Sequence, residues 1–101
     1  LWTMAREALD VTVILLNNRS YAILNIEMAR VGVADSSEKA RSLLNLSNPD
    51  LDWVKLAEGM GINAEQVTSV EQFDQAMNQA MSTPGPHLID VLLPGYDATP
   101  L

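Results

Sequence analysis

Six residues from Val11 to Leu16, Val-Thr-Val-Ile-Leu-Leu, run straight into Asn17-Asn18-Arg19-Ser20-Tyr21. The first segment is almost wholly apolar and rich in β-branched residues. That composition suits a parallel strand covered on both faces better than an alternating surface strand. The second segment is a polar turn delivered to the strand's end, and open α/β sheets hold their ligands outside the carboxyl ends of their strands. The junction therefore constrains both the fold class and the place where a site can sit.

The 101 residues make one domain or part of one. With 48% apolar and 19% charged residues, the composition is that of a packed chain and not of a disordered one. Thirteen acidic residues against 6 basic ones leave a net charge of -7, a field that repels phosphate backbones and anionic membranes, so neither nucleic acid nor a membrane is an expected partner. The lack of cysteine removes disulfides, thiolate metal sites and cysteine nucleophiles together, and it fits a cytoplasmic location. No apolar run approaches the roughly 18 residues of a membrane span, and no basic segment precedes a hydrophobic stretch as in a signal peptide.

Apolar spacing predicts an amphipathic helix over residues 1–9 with no N-terminal cap. A chain opening at Leu1 on the apolar face of such a helix reads as starting inside a longer polypeptide. The strand at Val11 to Leu16 follows, then a short helix from Tyr21 to about Arg30. Residues 31–48 form an irregular connection with one helical turn around Glu38 to Leu44. Asn48-Pro49 are the expected cap and first residue of a helix over 50–59, whose stripe is Leu51, Val54 and Ala57 and which ends near Gly59 or Gly61. A strand is expected around Glu65 to Val67. Ser69-Val-Glu-Gln72 reads as a capping box, and Val70, Phe73, Met77, Ala80 and Met81 as the buried face of the helix it opens. Pro84-Gly85-Pro86 ends that helix, His87 to Leu93 is the last strand, and residues 94–101 are a turn and tail. This alternation predicts an α/β fold, a partial doubly wound and mostly parallel sheet flanked by helices.

Few residues can carry chemistry. Asn17 and Asn18 serve as turn formers, or their amide oxygens join a backbone carbonyl in the oxygen shell of a hard cation, a shell that also needs carboxylate or phosphate oxygens. Tyr21, Ile23 and Leu24 pack a helix on the sheet or face an apolar pocket. His87, the sole histidine, has no partner for a metal cluster and reads as a structural or surface residue. Asp90 reads as a solvated or edge residue before a ligand contact, and Trp2, Trp53 and Phe73 as core aromatics. There is no glycine-rich phosphate loop and no serine elbow.

With Asn17-Asn18 after a strand, Leu56-Ala-Glu-Gly-Met-Gly61 and Gly85-Pro-His-Leu-Ile-Asp-Val91 in order, the chain resembles the C-terminal, diphosphate-binding domain of thiamine diphosphate enzymes. The group is that of acetolactate synthase, benzoylformate decarboxylase and pyruvate decarboxylase. The resemblance covers residues 1–93 and implies a thiamine diphosphate-binding fold. The family's motif opens with Gly-Asp-Gly, before the helix that residues 1–9 resemble, and closes with Asn-Asn. It implies that Asn18 gives its side-chain oxygen and Ser20 its backbone carbonyl to Mg²⁺, and that Asn17 shapes the turn. Tyr21 and Ile23 would border the cofactor and Leu24 the substrate.

The metal's carboxylate and the glutamate that promotes the cofactor's reactive form belong to segments that these 101 residues do not contain. Leu24 stands where pyruvate-decarboxylase-like members have a glutamate, and Arg19 to Leu24 departs from the Gln-His-Leu-Gly-Met of true acetolactate synthases. The segment is closer to benzoylformate decarboxylases and to acetolactate-synthase-like proteins, and an apolar Leu24 favours a hydrophobic 2-oxo acid. The resemblance thus implies a fragment of an enzyme that decarboxylates or carboligates 2-oxo acids, inactive by itself. Its partners would be the rest of its subunit and a second subunit of a homodimer or tetramer. A catalytically silent member, or a free-standing α/β binding or scaffold module, are the alternatives.

Overall fold

A computed structural model of the chain describes residues 1–21, 24, 26–27, 42–47 and 49–94. They fall into two compact units, one of Leu1–Asn17 with Asp52–Leu93, the other of Asn18–Leu51 with Pro94–Leu101.

The first unit is a three-stranded parallel sheet with helices on both faces. In chain order its elements are α1 (Trp2–Arg6), β1 (Thr12–Asn17), α2 (Trp53–Gly59), β2 (Asn63–Val67), α3 (Val70–Ser82) and β3 (His87–Leu92). The strand order is β1-β3-β2. Thr12 to Asn17 pair with His87 to Leu92, and Asn63 to Val67 with His87 to Val91. Adjacent side chains of a strand point to opposite faces, and β3 shows this directly. Leu88 packs with Ala57 and Ile62 and with Leu1, Met4, Ala5 and Val13, beneath α1 and α2. Ile89 packs with Val67, Ala76, Phe73 and Met77, beneath α3. The expected α/β architecture, a partial doubly wound parallel sheet flanked by helices, is therefore present.

The strand covered on both faces is β3 and not β1. Positions 87–90 are all buried, whereas β1 lies at the sheet's edge with Ile14 42% and Leu16 65% exposed. Within these residues only β3 has a hydrogen-bonded neighbour on each side, and the apolar run of β1, which suits two-sided cover, is paired on one side alone.

Both short helices end in the same hydrogen-bonded pattern. In α1 the Leu9 N–H donates to the Met4 carbonyl and Ala8 N–H to that of Ala5; in α2, Ile62 N–H donates to Ala57 and Gly61 N–H to Glu58. This paired closure needs a left-handed residue just beyond the helix. Gly61 supplies it at φ +88°, and in α1 it falls to Ala8 at φ +51°. Helix α1 is accordingly shorter than the predicted 1–9, and its N-terminus has no side-chain cap.

The cap of α2 is Asp52, whose Oδ1 accepts from Lys55 N–H at 3.0 Å. Pro49 lies outside the helix, Asn48 lies outside the described residues, and Leu51 precedes the helix and is exposed. An aspartate adjacent to the helix makes the more direct acceptor for its first N–H groups. At α3 the Ser69 hydroxyl accepts from Gln72 N–H as a capping box requires, but Gln72 Oε1 returns to Thr68 N–H at 2.8 Å, one residue earlier than the standard partner. The buried stripe of α3 is Ala76 and Ala80 with half-buried Phe73 and Met77; Val70 and Met81 are exposed. Trp2, expected in the core, is 58% exposed with the Arg6 guanidinium 5.2 Å from its ring centroid, while Trp53 and Phe73 are half-buried. A five-residue helix on an edge offers too little cover for an indole.

The loops entering β1 and β3 are joined. Gly85, at φ +103°, donates its N–H to Asp10 Oδ1 at 2.6 Å, and His87 N–H donates to the Val11 carbonyl.

In the second unit, Ser20 and Asn45 form an antiparallel bridge, as do Ser47 and Asp50. Leu24, Ile26 and Glu27 are helical, within the helix expected over 21–30; Tyr21 is not, and the rest of that helix and the connection 28–41 lie outside the described residues.

Candidate functional site

Strand β1 ends one residue later than its apolar run. Asn17 is its last residue, aligned with Leu92, and its carbonyl accepts from Leu93 N–H at 2.8 Å. The side chain expected to shape the turn thus belongs to the strand, because the sheet register extends through it.

The turn opens at Asn18. Its Oδ1 accepts from Ser20 N–H at 3.2 Å, an arrangement that lets an asparagine side chain imitate a backbone turn. Arg19, between them, has φ +59°, a left-handed conformation that carries a cost of about 1 kcal/mol for a residue with a Cβ. Two further bonds of the second unit hold it there: Leu46 N–H donates to the Arg19 carbonyl at 2.8 Å and Tyr21 N–H to that of Leu44 at 2.9 Å. Asn18 and Ser20 are both half-buried, and the Ser20 Oγ is shielded from solvent without a hydrogen-bond partner among the described residues. A buried hydroxyl in that state costs about 1–3 kcal/mol.

The donor set suits a hard cation in part. An amide oxygen has two lone-pair directions, so Asn18 Oδ1 can receive the Ser20 N–H and still present a lone pair to a metal. Among the described residues no three of His, Cys, Asp and Glu gather to hold a metal. The missing negative oxygens would have to come from elsewhere, as a phosphate can provide. Tyr21 and Leu24 are about half exposed, at 51% and 49%, and Ile23 lies outside the described residues.

Two residues of the last strand have different fates. His87 is buried with Nε2 2.9 Å from the Thr83 carbonyl, which makes it the structural and not the surface residue of the two expected roles. Asp90, expected to be solvated or at an edge, is 1% exposed on the central strand; Gln66 Nε2 donates to its Oδ2 at 3.1 Å, and Oδ1 has no partner. The signal available in the sequence was a single acid inside His-Leu-Ile-Asp-Val-Leu, a pattern that solvated edge strands do not need. A cleft of about 370 Å³ lies at the amino ends of β2 and β3, edged by Glu58, Glu65 and Gln79. Its acidic edge disfavours an anionic ligand.

A family model of the thiamine pyrophosphate enzyme, C-terminal TPP binding domain, matches residues 1–91. The chain is 53% identical over 95 residues to IlvX of Mycobacterium tuberculosis, provisionally named an acetolactate synthase large subunit, a match covering 93% of this chain and 18% of that protein. It is 33% identical over 95 residues to the chloroplastic acetolactate synthase 1 of Oryza sativa subsp. japonica, covering 87% of this chain and 14% of the rice protein. The solved thiamine diphosphate-dependent 4-hydroxybenzoylformate decarboxylase of Rhodococcus jostii RHA1 matches 97% of the chain with a TM-score of 0.80 and 28% identity, over 17% of its own length. The chain spans less than a fifth of each of these relatives.

Proposed function

Because this chain belongs to the thiamine pyrophosphate enzyme C-terminal TPP binding domain family, we propose that its residues 1–93 are the C-terminal portion of the diphosphate-side domain of a thiamine diphosphate- and Mg²⁺-dependent enzyme acting on 2-oxo acids. The reaction is decarboxylation, carboligation or both. The observation that carries this reading is the Asn18 turn, a side-chain oxygen and a following carbonyl that come directly after a parallel strand in the chain.

The cofactor, when bound, supplies a nucleophilic carbon and an electron sink for loss of CO₂ from a 2-oxo acid. This chain's residues hold and orient. Asn18 Oδ1 and the Ser20 carbonyl are the neutral oxygens that would hold Mg²⁺, and the bonds of the turn to Leu44 and Leu46 keep them in place before any ligand arrives. Tyr21 and Ile23 would border the cofactor. Leu24 would meet the substrate's side chain and favour an apolar one. Acid-base groups belong to the rest of the subunit and to a second subunit, so the 101 residues alone are inactive on this reading. The assembled enzyme would be a cytoplasmic homodimer or tetramer.

The reading frame around the chain provides the test. An in-frame Gly-Asp-Gly upstream, with Mg²⁺-dependent binding of thiamine diphosphate by the whole encoded polypeptide that Asn18→Ala weakens tenfold or more, is the expected result. A frame that opens with its own Met next to Leu1, or calorimetry without binding, overturns it.

A further inference from the structure

We infer that the cleft at the amino ends of β2 and β3 is a docking site for an arginine side chain of a partner protein. The cleft lies at the opposite end of the sheet from Asn17, and its use does not rest on the function proposed above.

At about 370 Å³ the cleft falls within the size range of ligand pockets, and its chemistry is one-sided. Glu58 and Glu65 stand at its edge, and neither carboxylate has a basic partner among the described residues. The first unit's two basic side chains are engaged elsewhere, Arg6 over Trp2 and Lys55 3.9 Å from Asp52. Helices α2 and α3 both bring their last turns to the cleft, through Glu58 and Gln79, and neither last turn holds a basic residue. The carbonyl end of a helix carries partial negative charge, so these ends add to the field of the carboxylates.

A buried side chain points to the same ligand. His87 lines the cleft and is 9% exposed. Its Nε2 lies 2.9 Å from the Thr83 carbonyl, which only accepts, so Nε2 carries the ring proton and Nδ1 of the neutral ring is an acceptor. Nδ1 has no partner among the described residues and is not sealed from solvent. An acceptor on so buried a residue is open toward the cleft that the residue lines, and it calls for a donor there.

Three kinds of ion compete for such a place. An anion is repelled. A divalent metal needs more ligands, since among the described residues no three of His, Cys, Asp and Glu come together. A guanidinium fits, because it has five N–H donors in one plane, no acceptor and a permanent charge, and can serve two carboxylates and a ring nitrogen together. Free arginine would bring its own carboxylate into an acidic cleft, so the source is a side chain of a polypeptide.

The test titrates argininamide, which has the side chain without the carboxylate, into the whole encoded polypeptide by calorimetry. Free arginine and a Glu58→Gln/Glu65→Gln variant are the comparisons. Both glutamates are exposed, so the variant should keep the wild-type thermal midpoint. Argininamide is expected to bind with a Kd of about 1–10 mM, free arginine about fivefold more weakly, and argininamide to the variant about tenfold more weakly. A crystal soaked with argininamide should show the guanidinium within hydrogen-bond reach of His87 Nδ1. Absence of binding at about 50 mM overturns the inference, as does equal affinity in the variant. Free arginine binding as well as the amide removes the polypeptide source, and a guanidinium seated away from His87 overturns the site.

Discussion

Strands β1 and β3 are each six residues long, parallel and mostly apolar, yet one is the sheet's edge and the other its centre. By composition the edge strand is the better core strand: β1 carries no charge, and β3 carries Asp90. What separates them is hydrogen-bonded neighbours. β3 has one on each side and a helix layer on each face, so even its acid is sealed in; β1 has β3 alone, and its Ile14 and Leu16 stay exposed. Among the strands of this unit, burial follows the pairing order and not the composition of the strand.

The largest effect expected from this contrast is at Ile89. Truncation to Ala beneath α3 should lower unfolding free energy by about 3–4 kcal/mol, while Leu16→Ala in β1 should cost under about 1 kcal/mol; urea unfolding of both variants measures the gap. Equal losses would mean that β1 is as enclosed as β3.

Next is the polar pair inside the sheet. Gln66→Leu removes the one donor to Asp90 and leaves both carboxylate oxygens without a bond, which should cost about 2 kcal/mol in the same assay. A neutral outcome would show that Asp90 is reached by solvent and that β3 is less sealed than its geometry says.

The helix ends repeat the lesson of like patterns with unlike residues. In α2, Gly61→Ala places a Cβ 3.3 Å from the Ala5 Cβ at a positive φ, so a loss of about 1–2 kcal/mol is expected by thermal unfolding. The reverse change in α1, Ala8→Gly, relieves a left-handed alanine and should gain about 0.5–1 kcal/mol. If Ala8→Gly were destabilising, α1 would be held by its packing and not by its closing bonds.

Much of this was legible locally. The capping box at Ser69 was readable because its partners lie within four residues, although the return bond moved to Thr68. The polar turn after β1 was readable for the same reason, since Asn18 and Ser20 are two residues apart. Asp90 was not, because its donor, Gln66, is 24 residues away and becomes its neighbour only through the register of β2 on β3. Trp2 and Val70 were misread because periodicity assigns a face to each residue of a helix but not how far cover extends along it.

The sequence by itself determined, for residues 1–17 and 52–93, where strands and helices lie to within a few residues, that the sheet is parallel with helices on both faces, and that an asparagine turn follows the first strand. These depend on periodicity, caps and turn chemistry acting over a few residues. Only the tertiary structure decided that β3 is central among these strands and that Asp90 is enclosed. Each of those depends on which distant segments surround a side chain, and that is settled when the strands pair and the layers close.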